Sequence, residues 1–353
     1  MTAVPPFAAI PIAPVPAPMR LRIDTAALAA NWRTLRDRAG TTCGAAIKAD
    51  GYGLGATGVA TTLAAAGCRD FFVATWNEAI ALAPLGLPLA VLHGVRDEDM
   101  PAAAALAGIA RPVLNSAAQV ARWRAGGGGP CDVMVDTGMN RLGVSVDDIG
   151  SGLLDGLAID TLMSHLACAD DDSAMNPRQR DRFAALAGRT DARRLSLANS
   201  AGIALGHDYA FDLVRPGLAL YGGIPCAALA TSIVQVVTPE AQILQRRIVR
   251  AGDTVGYNAT WTAPADTEVA ILNLGYADGY FRGFSDRGSA AGMPVLGRVS
   301  MDLVAIDVGA RPTLTEGDWL TIDFDLATAA ARSGQSQYEL LTALGARFDR
   351  VWA

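Results

Sequence analysis

Aromatic side chains make up only 6% of the 353 residues, and histidine occurs three times. Hydrophobic residues still reach 51%, so alanine supplies much of the apolar total. The three histidines form no H-E-x-x-H or other ligand spacing, so a zinc site is not expected and no metal is assigned. The five cysteines are an odd number, and no two stand close enough for a metal knuckle. They read as reduced thiols of a cytoplasmic protein. Basic clusters with interleaved aromatics are missing, and the formal net charge is −6, which makes nucleic acid and acidic membrane surfaces poor partners. No run reaches the roughly 18 uninterrupted apolar residues that a membrane-spanning helix needs. Residues 1–19 are rich in proline and alanine but lack a basic start, and the prolines break any apolar helix. They are read as a loose tail or edge segment, not a secretion signal.

What is present is alternation. The length points to two domains. From residue 43, eight short apolar or β-branched runs (44–47, 71–75, 89–92, 112–114, 133–135, 157–163, 195–197 and 211–214) alternate with alanine-rich helical stretches such as "VATTLAAAG". Strands alternating with helices argue for a parallel sheet, and eight such units match a closed (β/α)8 TIM-type barrel. After about residue 232 the pattern becomes strands broken by turns, as in "EVAILNLGYADGY" and "EGDWLTIDF". The expected organisation is an N-terminal segment at 1–19, a barrel over 20–232 and a mostly β domain over 233–353. The strand-like "MRLRIDT" is expected to pair into that second domain.

Polar residues gather where barrel strands end. Lys48 follows the first strand, Asn115 the fourth and Asp136 through Arg141 the fifth; Ser164 and His165 end the sixth, Asn199 and Ser200 follow the seventh, and Arg215 follows the eighth. Barrel enzymes build their sites on that face. Gly53-Leu54-Gly55-Ala56-Thr57-Gly58 is a literal G-x-G-x-x-G. A dinucleotide loop also needs an acidic residue ending the next strand, roughly 20 residues on, and "FFVATW" ends in Thr75 and Trp76 instead. Lys48, desolvated at a barrel mouth, suits a base or an imine former; position alone favours instead a lysine that snorkels from the rim. Ser200 opens the helical "SAGIAL" and offers an anion site. Tyr52 adds a phenol, and Gly217 lets backbone approach closely. A lysine with a separate phosphate cradle describes a pyridoxal 5'-phosphate site.

"AAIKADGYGLGA" resembles the signature of the alanine racemase family, the barrel-type (fold type III) pyridoxal phosphate enzymes. "VDTGMNRLG", "SHLA", "LANSAG", "LVRPGLALYG", "VGYNATW", "LGYADGY" and "GRVSMD" resemble the same family in the same order, from about residue 20 to the carboxyl end. The resemblance implies a cytoplasmic homodimeric isomerase with shared active sites, interconverting L- and D-alanine for peptidoglycan. It makes Lys48 the cofactor-bearing lysine and one base, and Tyr257 of the partner subunit the other. Arg215 is implied to face the ring nitrogen; a guanidinium has no acceptor and keeps its proton, so that nitrogen must accept and the cofactor becomes a weaker electron sink. Arg141 is implied to meet the cofactor's phenolic oxygen and the substrate carboxylate, and His165 to pack against the ring. Asn199 is counted among the cofactor contacts through "LANSAG". Ser200, Tyr52, Gly217 and Leu218 are implied to hold phosphate, Met301 to contact the substrate carboxylate through its backbone, and Tyr276 to gate the entrance.

Two positions depart from the family. Many members carry a carbamylated lysine seven residues before the arginine of "MNRLG", where this chain has Met134. A tyrosine near the carboxyl terminus usually helps hold phosphate; counting from "YELL", Trp352 takes that place. The alternatives are a serine or broad-specificity racemase on the same scaffold, since one methylene or hydroxyl discriminates weakly, and a non-catalytic pyridoxal phosphate-binding protein.

Overall fold

The structure, a computed structural model, describes residues 15–353. Of the proline- and alanine-rich segment, residues 1–14 lie outside the described residues. Its last residues run along the β domain, where the Ala17 amide donates to Asp349 Oδ2 at 2.8 Å and Gln242 donates to the Pro18 carbonyl at 2.9 Å.

A first strand, β1 (Met19–Ile23), precedes the helix Thr25–Ala39, which is capped by the Asp24 side chain. The barrel strands are β2 (Thr42–Cys43), β3 (Ala45–Ala46), β4 (Phe71–Val73), β5 (Leu89–Val91), β6 (Ala110–Leu114), β7 (Cys131–Met134), β8 (Ile159–Met163), β9 (Arg194–Ser196) and β10 (Leu213–Val214). β3 through β9 pair in parallel in chain order. β2 and β3 form one run interrupted at Gly44, and β10 pairs in parallel with β2. The Asp212 and Arg215 amides donate to the Leu195 and Ala198 carbonyls at 3.0 and 2.9 Å, joining the eighth strand to the seventh. The ring therefore closes on eight strands, as the alternation implied.

Helices return the chain between strands, several with side-chain caps that satisfy their first amides. Thr75 and Glu78 form a capping box on Trp76–Leu82, and Ser116 caps Ala117–Ala125. The amino end of the barrel is plugged by charge. Arg111 Nε donates to Asp132 Oδ1 at 2.9 Å and its Nη2 lies 3.1 Å from Asp160 Oδ2, while Arg194 Nη2 reaches Asp160 Oδ2 at 2.6 Å and Asp70 Oδ1 at 2.8 Å. All five residues sit within one position of strand starts, which leaves the carboxyl ends to line a cavity.

The remaining chain builds an eight-stranded, mainly antiparallel sheet around the long strand β11 (Val237–Val249). β1 pairs antiparallel with β11 and parallel with the last strand, Asp349–Trp352. The "MRLRIDT" strand thus joins this sheet as expected, although it precedes the barrel in the chain. A helix, Gln337–Thr342, brings the end of the chain back to the barrel mouth.

Candidate active site

A cavity of about 610 Å³ opens at the carboxyl ends of the barrel strands. Lys48, Tyr52, Arg141, His165, Asn199, Ser200, Arg215, Gly217 and Leu218 all line it.

Lys48 begins a turn after β3 in which Ala49, Asp50, Gly51 and Tyr52 have φ of 54°, 52°, 63° and 56°. A left-handed conformation costs a residue with a Cβ roughly 1–2 kcal/mol, so this turn must be held. Gly51 and Gly53 donate to the Ile47 and Ala49 carbonyls, both at 2.8 Å. Asp50 Oδ1 accepts from the Ala56 amide at 2.8 Å, and Glu78 Oε1 accepts from the Ala49 amide at 2.8 Å. Burial lowers the Lys48 pKa; the Arg141 and Arg215 charges push the same way, and the Glu78 carboxylate opposes them.

The glycines of the G-x-G-x-x-G motif serve packing. A Cβ on Gly53 would meet the Leu341 carbonyl oxygen at 2.3 Å, and one on Gly58 would meet the Trp352 ring at 2.1 Å. They let the Lys48 loop lie directly against the carboxyl-terminal segment, whose Arg350 Nη2 donates to the Gly53 carbonyl at 2.8 Å.

Opposite this turn lies an anion-type cradle. Ser200 Oγ accepts from the Gly217 and Ala219 amides at 3.0 and 3.2 Å, so its own proton is available to donate. Asn199 Oδ1 caps the following helix through the Gly202 amide at 2.8 Å. The Tyr52 hydroxyl stands so near Gly217 that a Cβ there would be 2.2 Å away. Its ring stacks on Tyr221 with centroids 4.5 Å apart.

The cavity floor is cationic. Arg215, 7% exposed, donates to the Ser164 carbonyl at 2.6 Å and to Ser196 Oγ. Burial lowers its pKa to about 10, which still leaves it protonated at neutral pH. His165 is pushed down to about 3 by burial and by the Arg215, Arg141 and Lys48 charges, so it is neutral. Arg141 is exposed on a loop held by Asp136 Oδ1, which accepts from the Gly138 and Asn140 amides at 2.8 and 3.1 Å. Met134 is buried in the lining of the same cavity.

Tyr257, Met301 and Tyr276 do not line this cavity. Tyr257 is 63% exposed and Met301 53% exposed, and Met301 and Tyr276 lie together, with the Ala277 amide donating to the Met301 carbonyl at 3.0 Å. Trp352 is also elsewhere: its indole covers Gly58, and the residues that do reach the cavity from the carboxyl-terminal region are Tyr338 and Thr342. Tyr338 stands beside Tyr52 with ring centroids 6.3 Å apart. Sequence reasoning missed Tyr338, Thr342 and His93. The "YELL" segment is the available signal for the first, but nothing in it says where its helix docks.

Comparison with known proteins gives one family. Models described as "Alanine racemase, N-terminal domain" and "Alanine racemase, C-terminal domain" match residues 23–225 and 236–352. An alanine racemase of Acidiphilium cryptum is 44% identical, covering 94% of this chain and 98% of its own. The crystal structure of alanine racemase from Bartonella henselae, with covalently bound pyridoxal phosphate, is 34% identical with a TM-score of 0.87, covering 96% of this chain and all of that one. The biosynthetic alanine racemase of Pseudomonas aeruginosa is 30% identical with a TM-score of 0.84, covering 96% and 99%.

Proposed function

This chain belongs to the alanine racemase family, and we propose that it is a cytoplasmic homodimer using pyridoxal 5'-phosphate to interconvert L- and D-alanine, supplying D-alanine for peptidoglycan. The observation that carries the reading is the convergence of nine cofactor candidates on one cavity, with Lys48 desolvated and its ammonium disfavoured by the Arg141 and Arg215 charges.

The residues fit the cofactor. The cradle that a Gly217 Cβ would fill is lined by the Tyr52 and Ser200 hydroxyls, both suited to a phosphate. The Leu218 backbone completes it, and Asn199 fixes the helix that carries Ser200. When bound, pyridoxal phosphate supplies the electron sink that makes an amino acid's α-proton removable.

The chain's own task is to place a base on each face of the α-carbon. Lys48 Nζ serves one face; its lowered pKa makes the neutral amine more available near neutral pH. Tyr257 of the partner subunit serves the other. Its exposure in one chain, outside the cavity, supports an arrangement in which a second copy covers it. Tyr276 and Met301 lie outside the same cavity and are assigned to the partner's side of the site for the same reason, as gate and substrate-carboxylate contact. Arg215, which stays protonated, would help hold the cofactor and would restrain competing reactions by not giving up its proton. Neutral His165 would help hold it without adding charge. Arg141 suits the substrate carboxylate by charge and forked geometry. A barrel over 20–232, with its β1 strand lent to the β domain of 233–353, would give each subunit both halves of a shared site.

The test is α-proton exchange. With L-alanine in heavy water and added pyridoxal phosphate, the protein should form deuterated D-alanine, and Lys48→Ala should abolish it. Exchange on serine but not alanine would change the substrate; no exchange on any amino acid would leave a cofactor-binding protein.

A further inference from the structure

We propose that Glu78 is a positioning residue for Lys48: its carboxylate clamps the left-handed turn that carries the lysine to the loop that follows β4. The inference rests on the reading of Lys48 as the cofactor-bearing lysine.

A capping-box glutamate ordinarily turns back to the amide of its own helix cap. Glu78 does this only weakly, since its Oε2 lies 3.4 Å from the Thr75 amide. The same oxygen accepts more closely from the Ala74 amide, at 2.6 Å. Its other oxygen leaves the helix altogether and accepts from the Ala49 amide at 2.8 Å. One carboxylate therefore joins the loops after two neighbouring barrel strands. Ala49 follows Lys48 directly and is the first of five consecutive residues with positive φ, ending at Gly53. Ala74 and Ala49 both line the cavity, so the clamp is in the wall beside the lysine. The charge also matters. The Arg141 and Arg215 charges disfavour the Lys48 ammonium, and the Glu78 carboxylate opposes them; His165, which lines the same cavity, is neutral. Neutral-acceptor replacements keep part of the clamp and lose the counter-charge.

The test compares Glu78→Ala, Glu78→Gln and, as a control, Thr75→Ala, which breaks the cap but leaves the bond to Ala49. Two readings are taken: amide hydrogen exchange over residues 45–55 in the cofactor-free protein, and the rate at which pyridoxal phosphate attaches to Lys48, trapped by borohydride. A lost charge-assisted bond should raise local exchange and slow attachment by about ten- to a hundredfold in Glu78→Ala. Glu78→Gln, with one amide oxygen left for either loop, should fall between Glu78→Ala and wild type, and it carries the test if Glu78→Ala does not fold. Thr75→Ala should leave both readings near wild type. Wild-type exchange and attachment in Glu78→Ala, or in Glu78→Gln should that be the folded variant, would overturn the proposal. So would a Thr75→Ala variant matching Glu78→Ala. If the wild-type protein attaches no cofactor at Lys48, the functional reading fails instead, while the exchange data still decide whether Glu78 clamps the turn.

Discussion

A methyl group added to Gly217 would stand 2.2 Å from the hydroxyl oxygen of Tyr52. Backbone and phenol are thus in direct contact across the cradle, and Tyr52 cannot retreat easily because its ring is stacked on the fully buried Tyr221. Gly217→Ala should therefore displace the Tyr52 hydroxyl. Forced overpacking costs about 1–3 kcal/mol, and part of that should appear as weakened pyridoxal phosphate binding, roughly tenfold, in an absorbance titration. Unchanged affinity would mean that the cradle lies elsewhere.

His165 should not titrate in the working range. Its folded-state pKa is depressed to about 3 against an ordinary 6.5. The native state then binds fewer protons between those values. The stability contributed is full above about 6.5 and is lost as pH falls toward about 3. A histidine ring signal assigned to residue 165 by comparison with His165→Asn should stay in its neutral position from pH 5 to 9. A midpoint near 6.5 would contradict the burial argument.

The plug at the amino end of the barrel gives the opposite sign. Burial raises Asp132 to about 6, against the pull of Arg111. Between about 4 and 6 the native state holds a proton that the unfolded chain has released, so this contribution is present at lower pH and is lost as pH rises through about 6. Arg111→Ala leaves a buried carboxylate without its partner and should cost about 3–5 kcal/mol at pH 7. Urea denaturation should show a smaller cost at pH 5, where Asp132 is largely protonated.

Met134 stands where the resemblance to the family implies a carbamylated lysine, and it is 8% exposed in the cavity wall. Met134→Lys should change activity and make it respond to bicarbonate, measured in carbon dioxide-depleted and bicarbonate-supplemented buffer. Indifference in both activity and bicarbonate response would show that Arg141 needs no group at this position.

The barrel and its polar rim were legible because both follow from local pattern: short apolar runs fix strand positions, and Lys48, His165, Ser200 and Arg215 fall within four residues of strand ends. What depends on distant packing was not. Trp352 was expected near phosphate by counting from "YELL", but the strand Asp349–Trp352 pairs with β1, which turns the indole onto Gly58. Tyr338 reaches Tyr52 only because the helix Gln337–Thr342 docks on the Lys48 loop, against Gly53. Glu78 follows Thr75 at capping-box spacing, and that pattern says nothing of the amide on the neighbouring loop that it also binds.

The central claim, a site shared between Lys48 of one subunit and Tyr257 of the partner subunit, is tested most directly by complementation. Lys48→Ala and Tyr257→Phe homodimers should each be inactive in racemisation. After the two are mixed, dissociated and reassociated, half of the dimers should be mixed, each with one intact site of two. Activity should return to about a quarter of wild type. No recovery, with mixed dimers demonstrated by mass spectrometry, would contradict a site built across the interface.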